Sequence, residues 1–103
     1  MSKENNAVWF ISYKLVKGAN EAEFLKASEV LGREYISKQK GYISWKQLKD
    51  GDTWVDLMTL ETIEDAKNFE KGDGEDNPLA NKFYSFIDFN SLKSRFYTVE
   101  RSY

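Results

Sequence analysis

The chain contains no cysteine and no histidine, and a single proline among its 103 residues. Without Cys and His, the sequence excludes disulfides, zinc fingers, thiol nucleophiles, Ser-His-Asp triads and histidine-held metal or haem. Charge of one sign is also missing: 15 Lys+Arg stand against 17 Asp+Glu, a net of −2. No basic stripe marks a nucleic-acid partner. No run approaches the ~18 apolar residues of a membrane span. The first apolar stretch, Val8 to Val16, is interrupted by Ser12, Tyr13 and Lys14 and lacks the small-residue cleavage site of a signal peptide. A cysteine-free chain of this kind is expected in the cytoplasm.

With 41% hydrophobic, 16% aromatic and 31% charged residues, the composition is that of a globular protein. Size scaling lets a chain of this length bury about 65% of its unfolded surface. One domain spanning 1–103 is expected, with no repeat or linker.

Residues 8–16 (VWFISYKLV) are β-branched and aromatic and stop at Lys17-Gly18, a strand signal. Asn20 followed by Glu23 is a capping-box pattern. Phe24, Ala27, Leu31 and Tyr35 then fall on one helical stripe, which predicts a helix to about Gln39 that Gly32 weakens. Residues 42–49 and 52–61 flank Asp50-Gly51, which predicts a hairpin with a type I′ turn. That turn sets Trp45 opposite Asp56, Ile43 opposite Met58 and Gln47 opposite Trp54. One face then carries Ile43, Trp45, Trp54, Asp56, Met58 and Leu60. The other carries Ser44, Lys46, Leu48, Val55, Leu57 and Thr59.

Thr62 with Asp65 caps a second helix starting Ile63, Ala66, Phe69. Lys71 to Asp76 breaks it, and Asn77-Pro78 restarts it with Leu79, Phe83 and Phe86 as its stripe and Ile87 beside them. A final strand is expected over 95–103. The order β-α-β-β-α-β is a ferredoxin-like α+β subunit, an antiparallel four-stranded sheet with two helices on one face. Two helices cover one face only, so the half-apolar second face predicts a homodimer closed sheet to sheet.

The stretch Lys40 to Ala66 (KGYISWKQLKDGDTWVDLMTLETIEDA) resembles the central hairpin of the antibiotic-biosynthesis-monooxygenase-like dimeric α/β barrels, and Leu15 to Gly18 fits as well. The resemblance implies a pocket between sheet and helices in each subunit of a dimer. Relatives include cofactor-independent quinone-forming monooxygenases and haem-degrading enzymes. The haem-degrading branch uses an Asn on strand one, a Trp ending strand three and a His on helix two. The matching positions here are Ile11, Leu60 and about Glu70, so all three depart and that chemistry is not expected. The pocket side of the sheet would carry Leu60, Met58, Asp56 and Trp54, with Ile43, Trp45 and Gln47 on strand two. Trp9, Ile11, Tyr13 and Leu15 would follow on strand one.

Asp is depleted in strands and rarely buried unpaired, so Asp56 among aromatics is a candidate general base with a raised pKa. The alternatives are a structural carboxylate bonded to a Tyr hydroxyl, a Trp N–H or a Lys, and a carboxylate at a solvated rim. Tyr13 would orient the ligand, or lie at an edge with its hydroxyl in water. Trp9, Trp45, Trp54, Met58, Leu60 and Phe83 would form walls for a small aromatic ligand, or plain core. Lys14 and Lys46 point into the barrel and are expected to pair with Glu100. Asp73 to Asn77 lacks the calcium-loop spacing and reads as a solvated loop or a flap over the pocket.

Two functions stand side by side. One is a monooxygenase or isomerase that needs no cofactor and acts on a small aromatic or quinol-like compound, with Asp56 as base and Tyr13 as orienting donor. The other is a non-catalytic binding or structural barrel.

Overall fold

The computed structural model describes residues 5–72 and 77–103. The expected acidic loop at Asp73 to Asp76 lies outside them. Strand β1 (Ala7–Leu15) leads into helix α1 (Glu21–Glu34) and a short 3₁₀ turn (Ile36–Lys38). The hairpin β2 (Tyr42–Asp50) and β3 (Thr53–Leu60) follows. Helices α2 (Ile63–Gly72) and α3 (Pro78–Tyr84) then precede β4 (Ile87–Thr98). The four strands form one antiparallel sheet in the order β2-β3-β1-β4, which is the ferredoxin-like arrangement.

The caps sit where the sequence places them. Asn20 accepts from the Glu23 amide, Thr62 from that of Asp65, and Asn77 from those of Leu79 and Ala80. Each satisfies backbone donors that a helix start leaves free. The helical stripe ends earlier than expected, with α1 stopping at Glu34 and a 3₁₀ turn taking the chain past Ile36.

Register differs from expectation by two residues. Asp50 pairs with Thr53, so Gly51-Asp52 forms the loop, with Gly51 at φ 62° and Asp52 at negative φ. Glycine at the first central position is the type II′ solution, and it needs positive φ at one residue instead of two. Trp45 therefore faces Met58 and Gln47 faces Asp56. A two-residue slip preserves parity, so the faces survive. Ile43 is the exception. An irregularity between Tyr42 and Ser44 turns it outward, where it is 46% exposed, and Tyr42 takes the inward place opposite Leu60.

Strand β4 begins at Ile87, directly after α3, and ends at Thr98 rather than running over 95–103. Its register against β1 shifts between Ser12 and Lys14, from Lys93 to Asp88. The intervening residues bulge, tied back by the Lys14 amide donating to Ser91 Oγ. Ile87 is thus a strand residue, and Phe86 lies in the turn beyond α3. The expected pairing of Lys14 and Lys46 with Glu100 does not form. Lys14 Nζ lies 3.7 Å from Asp52, and Glu100 instead accepts from Thr98 Oγ1.

Burial on β3 alternates strictly: Trp54, Asp56, Met58 and Leu60 are buried, and the residues between them are partly exposed. Helix residues Phe24, Leu31, Ala66, Phe69, Ala80 and Phe83 close over that face. Aromatic edges and faces interlock there, with Phe24 stacked on Phe83 at 5.4 Å and set edge-on to Trp54 at 5.1 Å. Among the described residues no helix is long and apolar enough to cross a membrane.

Candidate active site

Sheet pairing brings Gln47, Asp56, Ile11 and Ser94 into one row across all four strands. The neighbouring row is Trp45, Met58, Trp9 and Phe96. Asp56, Ile11 and Ser94 of the first row and Trp45, Met58 and Trp9 of the second form the floor of a cavity of about 190 Å³ between sheet and helices. Leu31, Phe69 and Phe83 roof it, and Phe89 and Leu92 of the β4 bulge flank it. An apolar cavity slightly smaller than this admits a benzene ring, so the space suits a molecule of one or two rings.

Two acidic hydroxyl-type groups meet in it. Tyr13 Oη donates to Asp56 Oδ1 at 2.8 Å, and both residues are buried, at 1% and 3% exposure. Burial pushes the Asp56 carboxyl up from 3.8 to about 7 against the lowering influence of Tyr13, Trp45 and Gln47. Burial, and after it the charge of Asp56, pushes the Tyr13 phenol well above its ordinary range. Tyr13 is therefore a neutral donor at any working pH, and Asp56 exchanges its proton near neutrality. The Gln47 amide donates to Ser28 Oγ at 3.0 Å, which anchors the outer end of the row. The Trp45 indole N–H lies close enough to the carboxyl to favour its anion, but meets no acceptor in hydrogen-bond geometry.

At the mouth, Trp9 Nε1 donates to Ser94 Oγ at 2.8 Å, and Ser94 donates to Glu70 Oε2 at 3.1 Å. Ser94 and Glu70 are exposed and line the opening.

Of the residues expected from sequence, Asp56, Tyr13, Trp9, Trp45, Met58 and Phe83 line the cavity, together with Ile11. Trp54 and Leu60 do not. Trp54 turns its ring to Phe24 and Lys49 Nζ, the latter 5.4 Å from the ring centre, and Leu60 is fully buried. Ser94, Phe89 and Leu92 were not foreseen, because the β4 bulge breaks the alternation that would have sorted them. Glu70 was singled out only as about the position of the haem-degrading relatives' helix-two His, and not as a residue of this chain's own site. No group of three Asp or Glu side chains among the described residues could hold a metal ion.

No protein-family profile and no curated protein sequence matches the chain. Solved structures do match its fold. SnoaB, a cofactor-independent oxygenase from Streptomyces nogalater, is 13% identical with a TM-score of 0.74, over 95% of this chain and 96% of that one. The ActVA-Orf6 monooxygenase of Streptomyces coelicolor, solved with the ligand Nanaomycin D, is 17% identical at TM-score 0.66 over 96% and 91%. A protein of unknown function from Nitrosomonas europaea is 14% identical at 0.67 over 99% and 96%. This chain therefore has the fold of the antibiotic biosynthesis monooxygenase-like proteins. At these identities the likeness concerns fold alone.

Proposed function

We propose that the protein is a cofactor-independent monooxygenase of small aromatic or quinol-like compounds, with Asp56 as the general base. The observation that carries this reading is the buried Tyr13–Asp56 pair in an aromatic cavity of about 190 Å³. A base is most effective when its pKa lies near the working pH, and burial moves Asp56 there. Tyr13 holds one carboxylate oxygen and fixes the direction of the other.

Asp56 removes the proton that activates the substrate. The resulting electron-rich anion reacts with dioxygen at its reactive carbon. One oxygen atom remains as the new carbonyl, and the other leaves as water with the two hydrogens the substrate loses. Trp9, Trp45, Met58 and Phe83 supply flat apolar walls that hold the ring and exclude water. The cofactor-independent oxygenase of the same fold supports this reading by analogy.

Dioxygen uptake with a panel of one- and two-ring hydroquinones and naphthols tests it. Asp56→Asn retains an acceptor for Tyr13 and removes the base. The expected loss is about 10²–10⁴-fold in kcat, and the wild-type kcat/KM should rise with pH through about 7. Unchanged turnover in that variant would remove Asp56 as the base.

The sheet face opposite the helices exposes Leu48 and Tyr97, and Tyr97 packs edge-on against Phe10. The reading includes a second copy of the chain on that face, which leaves one cavity per subunit on the far side of each sheet.

A further inference from the structure

Among the described residues that line the cavity, only Asp56 at its floor and Glu70 at its mouth carry charge, and both are acids. No Lys or Arg lines it. Lys93 and Arg95 flank Ser94 on β4, but alternation turns them to the opposite sheet face. Among the described residues no Lys or Arg forms an ion pair with Glu70.

The hydrogen bonds at the mouth run in one direction. An indole N–H only donates, so Ser94 Oγ accepts from Trp9 and gives its own proton to Glu70 Oε2. Glu70 is thereby held as an acceptor at the opening. One oxygen is bonded to Ser94, and no described residue donates to the other. A ligand group that meets this carboxylate has to donate. A second carboxylate brings like charge and no donor, a hydroxyl brings one donor, and an ammonium brings three with the opposite charge. The rings around the mouth favour the same choice, because cations are attracted to aromatic faces. Trp9, Tyr84 and Phe89 line the cavity, and Phe89 is 57% exposed.

The sheet sets the length of the ligand. Asp56, Ile11 and Ser94 stand in one row across β3, β1 and β4. Two strand spacings, about 10 Å, therefore separate the inner carboxyl from the residue that holds the outer one. A two-ring molecule with a substituent at its outer end covers that distance.

We infer that Glu70 selects the charge of the ligand: the compound taken by this cavity carries a protonated amine at its outer end, seated on Glu70. Compounds with a carboxylate in that place are turned away. This rests on the reading of the cavity as the substrate site and adds the charge that the substrate bears. Glu70 binds and orients, and no bond is made or broken there.

Isothermal titration calorimetry of the full chain tests it with naphthalenes that carry an aminomethyl, a hydroxymethyl or a carboxylate group at the same ring carbon. At pH 6 Asp56 is mostly protonated, so a charge preference reports on Glu70. The amine should bind about fivefold more tightly than the alcohol, and the alcohol about fivefold more tightly than the carboxylate, the scale of a solvent-exposed ion pair. Added salt should shrink both ratios. Glu70→Gln keeps an acceptor for Ser94 and should bring the three affinities within about twofold of one another. Glu70→Lys should reverse the order. The side chain is exposed, so neither change threatens the fold. Equal affinities in the wild type, or a preference that survives in Glu70→Gln, would overturn the inference. No binding of any probe would overturn it together with the cavity as a ligand site. A Glu70-dependent amine preference in a protein that takes up no dioxygen with amine-bearing hydroquinones would uphold this inference and remove the oxygenase reading.

Discussion

Asp56 is a carboxyl that the fold holds at a cost. Its ordinary pKa is 3.8 and burial raises it to about 7, so between those values the folded protein keeps a proton that the unfolded chain has released. The contribution of this group to stability is therefore fully present below about pH 4 and lost as pH rises to about 7. The loss amounts to about 4 kcal/mol. Urea unfolding of wild type and Asp56→Asn from pH 4 to pH 8 should show the wild type losing stability relative to the variant across that window. Parallel profiles would mean an ordinary carboxyl. The position was legible in the sequence because an Asp at an inward place on an alternating strand is conspicuous. A Tyr partner was among the alternatives, but that it is Tyr13 was not legible, because β1 and β3 share no short-range signal that fixes their mutual register. Trp45 was legible as an inward aromatic.

Turns decide where each element starts, and the glycines that make them are unequal. Gly18 and Gly41 both adopt φ 81°. A Cβ at Gly18 would meet nothing within 4 Å, whereas at Gly41 it would lie 2.7 Å from Asp65 Cγ and 2.9 Å from Asp65 Cβ on the first turn of α2. Gly18→Ala should cost about 1–2 kcal/mol from the left-handed backbone alone. Gly41→Ala should cost about 3 kcal/mol, because α2 must also move. Urea midpoints of the two variants check the order, and equal losses would contradict the packing argument. The elements readable in advance were those with local grammar: Asn20 before Glu23, Asn77 before Pro78, and a glycine between two alternating strands. Strand β4 was placed late because Phe89 to Leu92 bulge over the cavity mouth and interrupt its period. Ile87 then read as an extension of the helical stripe. Ile43 was misassigned for the same reason, an irregularity at Tyr42 to Ser44 that no residue type announces.

At the scale of the molecule, helices on one sheet face leave the other to be accounted for. Leu48 and Tyr97 are 45% and 52% exposed there, on strands at the two edges of the sheet. Apolar side chains spread across a whole sheet face mark a protein contact more often than a solvated surface. Native mass spectrometry should give twice the chain mass of 12.0 kDa, and Tyr97→Glu should return the single mass by burying a charge in the contact. A monomeric wild type would leave the face without its second copy. The βαββαβ order itself was legible, because each helix and hairpin carries its own start and stop signals. The cavity was legible only as a face, since its mouth is built by the β4 bulge and by Glu70 of α2.

One proton-exchanging carboxyl is central to the site, and carbon-13 NMR of the Asp56 side chain through a pH titration measures it directly. The burial of Asp56 beside buried Tyr13 and half-buried Trp45 predicts a midpoint near 7, with the Asp56 signal absent in Asp56→Asn. A midpoint at the ordinary carboxylate value near 4 would contradict it: Asp56 would then be a structural anion at neutral pH, and the base would have to be sought elsewhere.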